Sequence, residues 1–225
     1  MEKINLNDKY IFNLNRLIHK GAEANLYIGT YLDMKCVFKI RKPKKYRNKD
    51  LDKKIRKRRT HSETMIQMKA RESGIRTPII WHIDLENYVI IMEFIEGETI
   101  RDEIMNEKME IESFARLLAF DVASLHNINL VHGDLTTSNL LITQNKITYL
   151  DFGLGMISED IEEKAVEIDL LSRVIASTHP NITDKFFPIF IKEYIKTYEY
   201  GSDVMNRVEK ISKQGRYISK RIRNL

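Results

Sequence analysis

Cysteine is nearly missing. Cys36 is the only one in 225 residues, which excludes an internal disulfide. Its apolar strand-like surroundings, Cys36-Val37-Phe38, read as a small core residue rather than a nucleophile. Long hydrophobic runs are missing too: no stretch reaches the roughly 18 apolar residues a membrane span requires. The chain opens on charged and polar residues rather than on a signal-like segment. The expectation is a soluble cytoplasmic protein with no membrane partner. Size is the third shortage, because 225 residues at 43% hydrophobic content can bury one substantial core, or two small lobes sharing a cleft, and little more.

What is abundant is charge, and it is segregated. The formal net charge is +5, yet Arg41 to Arg59 carries twelve Lys/Arg against Asp50 and Asp52. Residues 205 to 225 carry seven against Glu209. The remainder is therefore acidic. Two basic patches on an acidic body suit a polyanion such as nucleic acid, or an acidic partner face, although solvated helical faces would show the same pattern.

The chemistry is concentrated in two motifs. Val131-His132-Gly133-Asp134-Leu135-Thr136-Thr137-Ser138-Asn139 follows one apolar stretch, and Asp151-Phe152-Gly153 follows another twelve positions later. An Asp with an Asn five residues on fits a single catalytic loop. Leu140-Leu141-Ile142, a turn at Gln144-Asn145 and Ile147 to Leu150 fit a short hairpin that delivers Asp151 beside that loop. This is a phosphoryl-transfer constellation. Asp134 would accept a proton from an attacking hydroxyl or orient a water, while Asn139 and Asp151 supply hard oxygen ligands for Mg2+ carried on ATP phosphates.

Upstream segments supply the nucleotide-binding parts in altered form. Leu17 to Tyr27 reads as a phosphate-covering hairpin with Gly21 and Ala22 at its turn, His19 and Ala24 standing where two further glycines would be expected. Cys36 to Ile40 reads as a buried strand with one charged residue, Lys39, suited to the α/β-phosphates. A following helix from about Thr60, carried on by Met65, Ile66 and Met68 until Gly74 and Pro78 end it, offers Glu63 to pair with Lys39, with Glu72 as competitor. Ile79 to Ile83 and Tyr88 to Met92 read as strands. Glu93 to Gly97 would be the hinge, where the Glu93 carbonyl and the Ile95 N–H could read an adenine edge. Ile111, Phe114, Leu117, Leu118, Val122 and Leu125 recur at helical spacing and read as core.

The stretch after Asp151 is short. Asp169 follows after only 18 residues and reads as the acid that braces the catalytic loop from the next helix. Protein kinases use roughly twice that length to seat a peptide and carry an activating phosphate. Gly133 also stands where loop-switched kinases carry Arg. Neither a peptide platform nor a phosphorylation switch is expected.

These residues resemble one family, the small kinase/ATPase subunit of the KEOPS complex, the PRPK or Bud-type kinases related to RIO kinases. The resemblance rests on Lys45-Tyr46-Arg47 through Leu51-Asp52, on Arg59-Thr60 and Glu63, and on Val131 to Asn139. It extends through Asp151 to Gly155 and Glu162 to Asp169. It implies work with the KEOPS transferase subunit and other KEOPS subunits in making threonylcarbamoyladenosine on tRNA, with ATP hydrolysis and self-phosphorylation rather than broad kinase action. It also implies tRNA contact through a basic tail, although Gln214 to Arg223 departs from the compact Arg-Gly-Arg-Lys-Arg-like ending of that family. The expected fold is α+β, a small two-lobed kinase-like architecture. Residues 1–95 would form the antiparallel sheet lobe, 96–213 the helical lobe and 214–225 the tail. The last helices would cover Asp184 to Tyr198 and Asp203 to Lys213, capped by Thr183 and Ser202. Two other classes remain open: a small-molecule phosphotransferase of the aminoglycoside or choline type, and a non-catalytic adaptor that binds nucleotide and tRNA.

Overall fold

The computed structural model describes residues 12–144 and 146–222, the side chains of 12–13 and 214–222 excepted. Two compact units emerge. One runs to Met68 and takes up Pro78–Glu96, and the other comprises Lys69–Thr77 and the chain from Gly97 onward. The expected antiparallel sheet followed by a helical region is present.

The first unit is a five-stranded antiparallel sheet in the order β1-β2-β3-β5-β4. Its strands are β1 (Phe12–Lys20), β2 (Ala24–Tyr31), β3 (Met34–Arg41), β4 (Ile80–Asp84) and β5 (Val89–Glu93). Period-two alternation sorts β3 into two faces. Cys36 and Phe38 go into a core with Tyr31, Val89 and Ile91, against which Ile40 and Trp81 pack. Lys39 and Arg41 share the opposite face. Helix α1 (Lys49–Glu72) ends just before Gly74 as expected but starts well ahead of Thr60, because the basic run from Lys49 onward is helical. Asp50 and Asp52 in its first turn and Lys69 and Arg71 in its last complement the helix dipole. Buried Thr60, Glu63, Thr64, Ile66, Gln67 and Ala70 mark its packed side, and Gln67 donates to the Pro78 carbonyl at 2.8 Å.

The second unit holds α2 (Ile100–Met105), α3 (Ile111–Asn127), α4 (Ile161–Thr178), α5 (Thr183–Thr197) and α6 (Gly201–Ile222). Between α3 and α4 lie the short strands β6 (Leu130–Val131), β7 (Leu140–Thr143), β8 (Lys146–Tyr149) and β9 (Met156–Ile157). Phe114, Leu118, Val122 and Leu125 of α3 are buried as their spacing requires. They meet α5, whose Phe186, Phe190 and Tyr194 stack in succession. Each such fully buried side chain contributes about 1.5–3 kcal/mol of apolar stabilisation. Three boundary expectations fail. Ser202 is not an N-cap, because α6 already begins at Gly201. Thr183 is not an N-cap: its hydroxyl donates back to the His179 carbonyl at 3.4 Å, and Ile182 occupies the cap position without a side-chain bond. Helix α6 also continues past Lys213 to Ile222, since Gln, Lys, Arg and Ile are good enough helix formers to carry the turn through Gly215.

Candidate active site

In the second unit, the β7–β8 hairpin pairs Leu140 with Tyr149 and Thr143 with Lys146, closing around Gln144. Asn145 of the expected turn lies outside the described residues. The hairpin brings the two motifs together, since the Leu150 N–H donates to the Asn139 carbonyl at 2.9 Å. Asn139 Nδ2 donates to both the carbonyl and Oδ2 of Asp134, each at 2.9 Å. Its amide hydrogens are thus committed to Asp134, and its Oδ1 is the atom suited to a hard cation. Asp151 adopts φ 55°, a left-handed conformation that a non-glycine residue rarely takes up. Its Oδ1 accepts the Gly153 N–H at 3.0 Å. An Asn oxygen and an Asp carboxylate form a two-ligand set of Mg2+ chemistry, in which phosphate oxygens and waters complete the shell.

His132 holds this arrangement from beneath. Fully buried, its Nε2 lies 2.9 Å from the Leu150 carbonyl and its Nδ1 accepts the Asp134 N–H at 3.3 Å. Its ring packs on Phe152 at 4.5 Å. Burial pushes its pKa down, against the pull of nearby Glu167, so the imidazole is neutral and carries its hydrogen on Nε2. Gly133 is obligatory: φ is 80°, and a Cβ there would run into the Leu154 carbonyl.

The residue bracing this loop is Glu167, not Asp169. Glu167 Oε1 accepts the Gly133 N–H at 2.7 Å, and Oε2 lies 2.9 Å from His126 Nε2. His126 Nδ1 in turn lies 2.6 Å from the Tyr194 hydroxyl. Asp169 instead pairs with Arg173 one turn along α4. Burial raises the Glu167 pKa, but the hydrogen bond from His126, the electrostatic pull of His126 and His132 and, least, the Gly133 N–H together outweigh it, and the carboxyl titrates below its usual range. A second tie reaches the loop from the end of α4, where His179 Nε2 lies 3.0 Å from the Thr137 hydroxyl.

In the first unit, Lys39 Nζ donates to Glu63 Oε1 at 2.6 Å; Glu72, the competitor, closes α1 two turns further on. Arg41 donates to the other oxygen, Oε2. The β1–β2 turn is tight, with the Gly21 N–H bonded to the Ala24 carbonyl at 3.0 Å, and Lys44 Nζ donates to the Ala22 carbonyl at 2.5 Å. Next to it, Glu23 meets Arg59 at 2.7 Å, Lys44 at 3.6 Å and Arg47 at 3.8 Å. Glu93 ends β5, its N–H bonded to the Ile79 carbonyl at 2.8 Å and its carboxylate accepting the Ile79 N–H at 3.1 Å. Ile95 follows in irregular, half-buried chain.

Residues 23–177 match the RIO domain model. The chain belongs to the RIO-domain family. It is 33% identical to the KEOPS complex subunit Bud32 of Pyrococcus abyssi over 90% of this chain and 96% of that one. With the EKC/KEOPS complex subunit bud32 of Dictyostelium discoideum it shares 35% over 89% and 82%. A probable bifunctional tRNA threonylcarbamoyladenosine biosynthesis protein of Methanobrevibacter smithii is 34% identical over 95% of this chain, which spans only 39% of that longer protein. The RIO-domain chain is thus an ATP-dependent phosphotransferase of the atypical, Bud32-like kind. Among its described residues no helix is long and apolar enough to cross a membrane.

Three residues of this RIO-domain chain escaped sequence reading. Glu167 sits one turn before Leu171 on the apolar Ile168–Leu171–Ile175 face of α4. Asp169 has Arg173 four residues on, the spacing of a surface pair. That contrast was the available signal. Arg41 could have been found as the i+2 neighbour of Lys39 on one strand face, whereas nothing local marks His126.

Proposed function

We propose that the chain binds Mg-ATP and transfers or hydrolyses its terminal phosphoryl group as a KEOPS-type subunit in tRNA threonylcarbamoyladenosine formation. The single observation that carries this reading is the Asp134–Asn139 pair beside Asp151, a base and two metal ligands in one connected loop system. In it Asp134 accepts the proton of the attacking hydroxyl or orients a water. Asn139 Oδ1 and Asp151 hold Mg2+, which neutralises charge developing on the phosphates. Lys39, oriented by Glu63, takes α/β-phosphate oxygens. Gly21 and Ala22 cover the phosphates, and the Glu93 carbonyl and Ile95 N–H read the adenine edge.

The partners are the transferase-type and other KEOPS subunits, as the names of the relatives suggest, and tRNA reached through the basic end of the chain. The cytoplasm is the expected compartment. The joining of a similar segment to a longer chain in the bifunctional relatives supports partnership with the activity carried by the remainder. Residues 214–225, assigned as a separate tail, lie outside the described side chains. Titration of ATP with and without Mg2+ tests the reading: binding should require the cation in the wild type and fail in Asp151→Ala. Equal, metal-independent binding by both proteins would overturn it.

A further inference from the structure

The buried carboxylate of Glu63 carries two cations. Lys39 holds Oε1 at 2.6 Å and Arg41 holds Oε2, with side-chain exposures of 6% and 4% against 1% for Glu63. Screening by water is therefore weak at all three groups, and a carboxylate left alone there would be strongly destabilised. A pair of Lys and Glu satisfies the carboxylate only while the ammonium stays on it. An ammonium that must also serve phosphate oxygens is divided between two anions.

Arg41 removes that conflict. It is fixed to β3 two residues from Lys39 and therefore on the same face. Beyond Glu63 it reaches the Arg59 carbonyl at 3.5 Å, one helical turn earlier on α1, so it grips the helix at two successive levels. Its planar guanidinium presents several donors in a fixed fork, so it can serve two acceptors at once. Its Nε is buried without a hydrogen-bond partner, which is a poor arrangement for a residue serving only to pack.

We propose that Arg41 is a positioning residue that keeps Glu63 permanently neutralised and α1 docked on β3, freeing the Lys39 ammonium for nucleotide phosphate without any activating switch. This deepens the reading of the chain as an Mg-ATP enzyme and rests on it. The Lys39–Glu63 pair need not be assembled by an outside signal, because the second cation maintains Glu63 whether nucleotide is bound or not. That fits a chain in which only residues 152–160 join Asp151 to α4.

The test is Mg-ATP affinity and turnover of purified full-length chain carrying Arg41→Met, Arg41→Lys or the pair Arg41→Met with Glu63→Gln. Arg41→Met leaves Lys39 as the cation of Glu63, so affinity should fall about tenfold. Removing the carboxylate charge as well releases Lys39, so the double variant should recover affinity to within about threefold of wild type while turnover stays low, since the orientation of Lys39 is lost. Arg41→Lys, which keeps the charge, should lie between wild type and Arg41→Met. A role in packing alone would make the double variant as weak as the single one, and that result would overturn the inference, as would unchanged affinity in folded Arg41→Met. Should Arg41→Met fail to fold, the double variant and Arg41→Lys still decide: a folded double variant that binds weakly overturns it. Absence of Mg-ATP binding by the wild type would instead remove the functional reading on which the inference stands.

Discussion

The Glu167 carboxylate accepts the Gly133 N–H at 2.7 Å, fastening the residue before Asp134 to helix α4. One hydrogen bond thus ties the position of the proposed base to the helical core, and the His126–Tyr194 contact behind it ties that acid to α3 and α5. Glu167→Ala should lower turnover by about 10–100-fold with little change in Mg-ATP affinity, the usual consequence of a displaced catalytic group. Glu167→Gln retains an acceptor oxygen and should lose less. Because the folded pKa of Glu167 is lowered, its stabilising contribution is complete above its ordinary value and is lost as pH falls below it. The stability advantage of wild type over Glu167→Gln should therefore shrink in acid, and thermal melts of both proteins across pH check it.

Asp121 on α3 gives a pH effect of the opposite sign. Burial raises its carboxyl to about 6, although Tyr149 draws it the other way. A raised folded pKa means that stability is fully present below the unfolded value and is lost as pH rises through about 6. Asp121→Asn should accordingly be more stable than wild type at pH 8, by about 1–3 kcal/mol, with the difference vanishing near pH 4. Denaturant titrations at the two pH values measure this, and a less stable variant at pH 8 would contradict the assignment.

Much of this arrangement was legible in the residues because each piece has a local cause. The Asp134-to-Asn139 spacing and the apolar runs flanking Gln144 fix a loop and a hairpin without reference to anything distant. Lys39 stood out as a charge in an apolar strand. Glu167 was missed because its partner Gly133 lies 34 positions away, a pairing that only tertiary packing creates, and the neighbouring Asp169 offered an equally acidic alternative. The start of α1 was missed for a different reason: its first half is so charged that it read as a patch for polyanions, with no apolar periodicity to reveal a helix.

The stretch joining Asp151 to α4 is only residues 152–160, leaving little chain on which to seat a peptide. The isolated protein should therefore phosphorylate casein poorly while labelling itself or hydrolysing ATP, since positioning supplies much of a kinase rate. Radiolabel transfer to casein against phosphate release measures the ratio. Efficient, sequence-selective peptide phosphorylation would contradict it.

Helix α6 packs through Val204 and Val208 and through the Arg207–Glu162 ion pair, all ahead of residue 214. Deleting 214–225 should leave the melting behaviour and Mg-ATP affinity unchanged, yet weaken tRNA binding. The salt dependence of that binding should flatten by about 0.7–0.9 for each phosphate that the shortened chain no longer neutralises. An unchanged salt slope would move the RNA-binding surface to the Arg41 to Arg59 run or to a partner subunit.

The central claim is that Asp134 does chemistry while Asp151 holds the metal. Phosphate release from saturating Mg-ATP, measured beside nucleotide affinity on wild type, Asp134→Ala and Asp151→Ala, tests it most directly. Asp134→Ala should bind Mg-ATP nearly as wild type does and turn it over about 10²–10⁴-fold more slowly, the usual contribution of a positioned base. Asp151→Ala should lose Mg-ATP affinity itself. Equal turnover by wild type and Asp134→Ala would contradict the account.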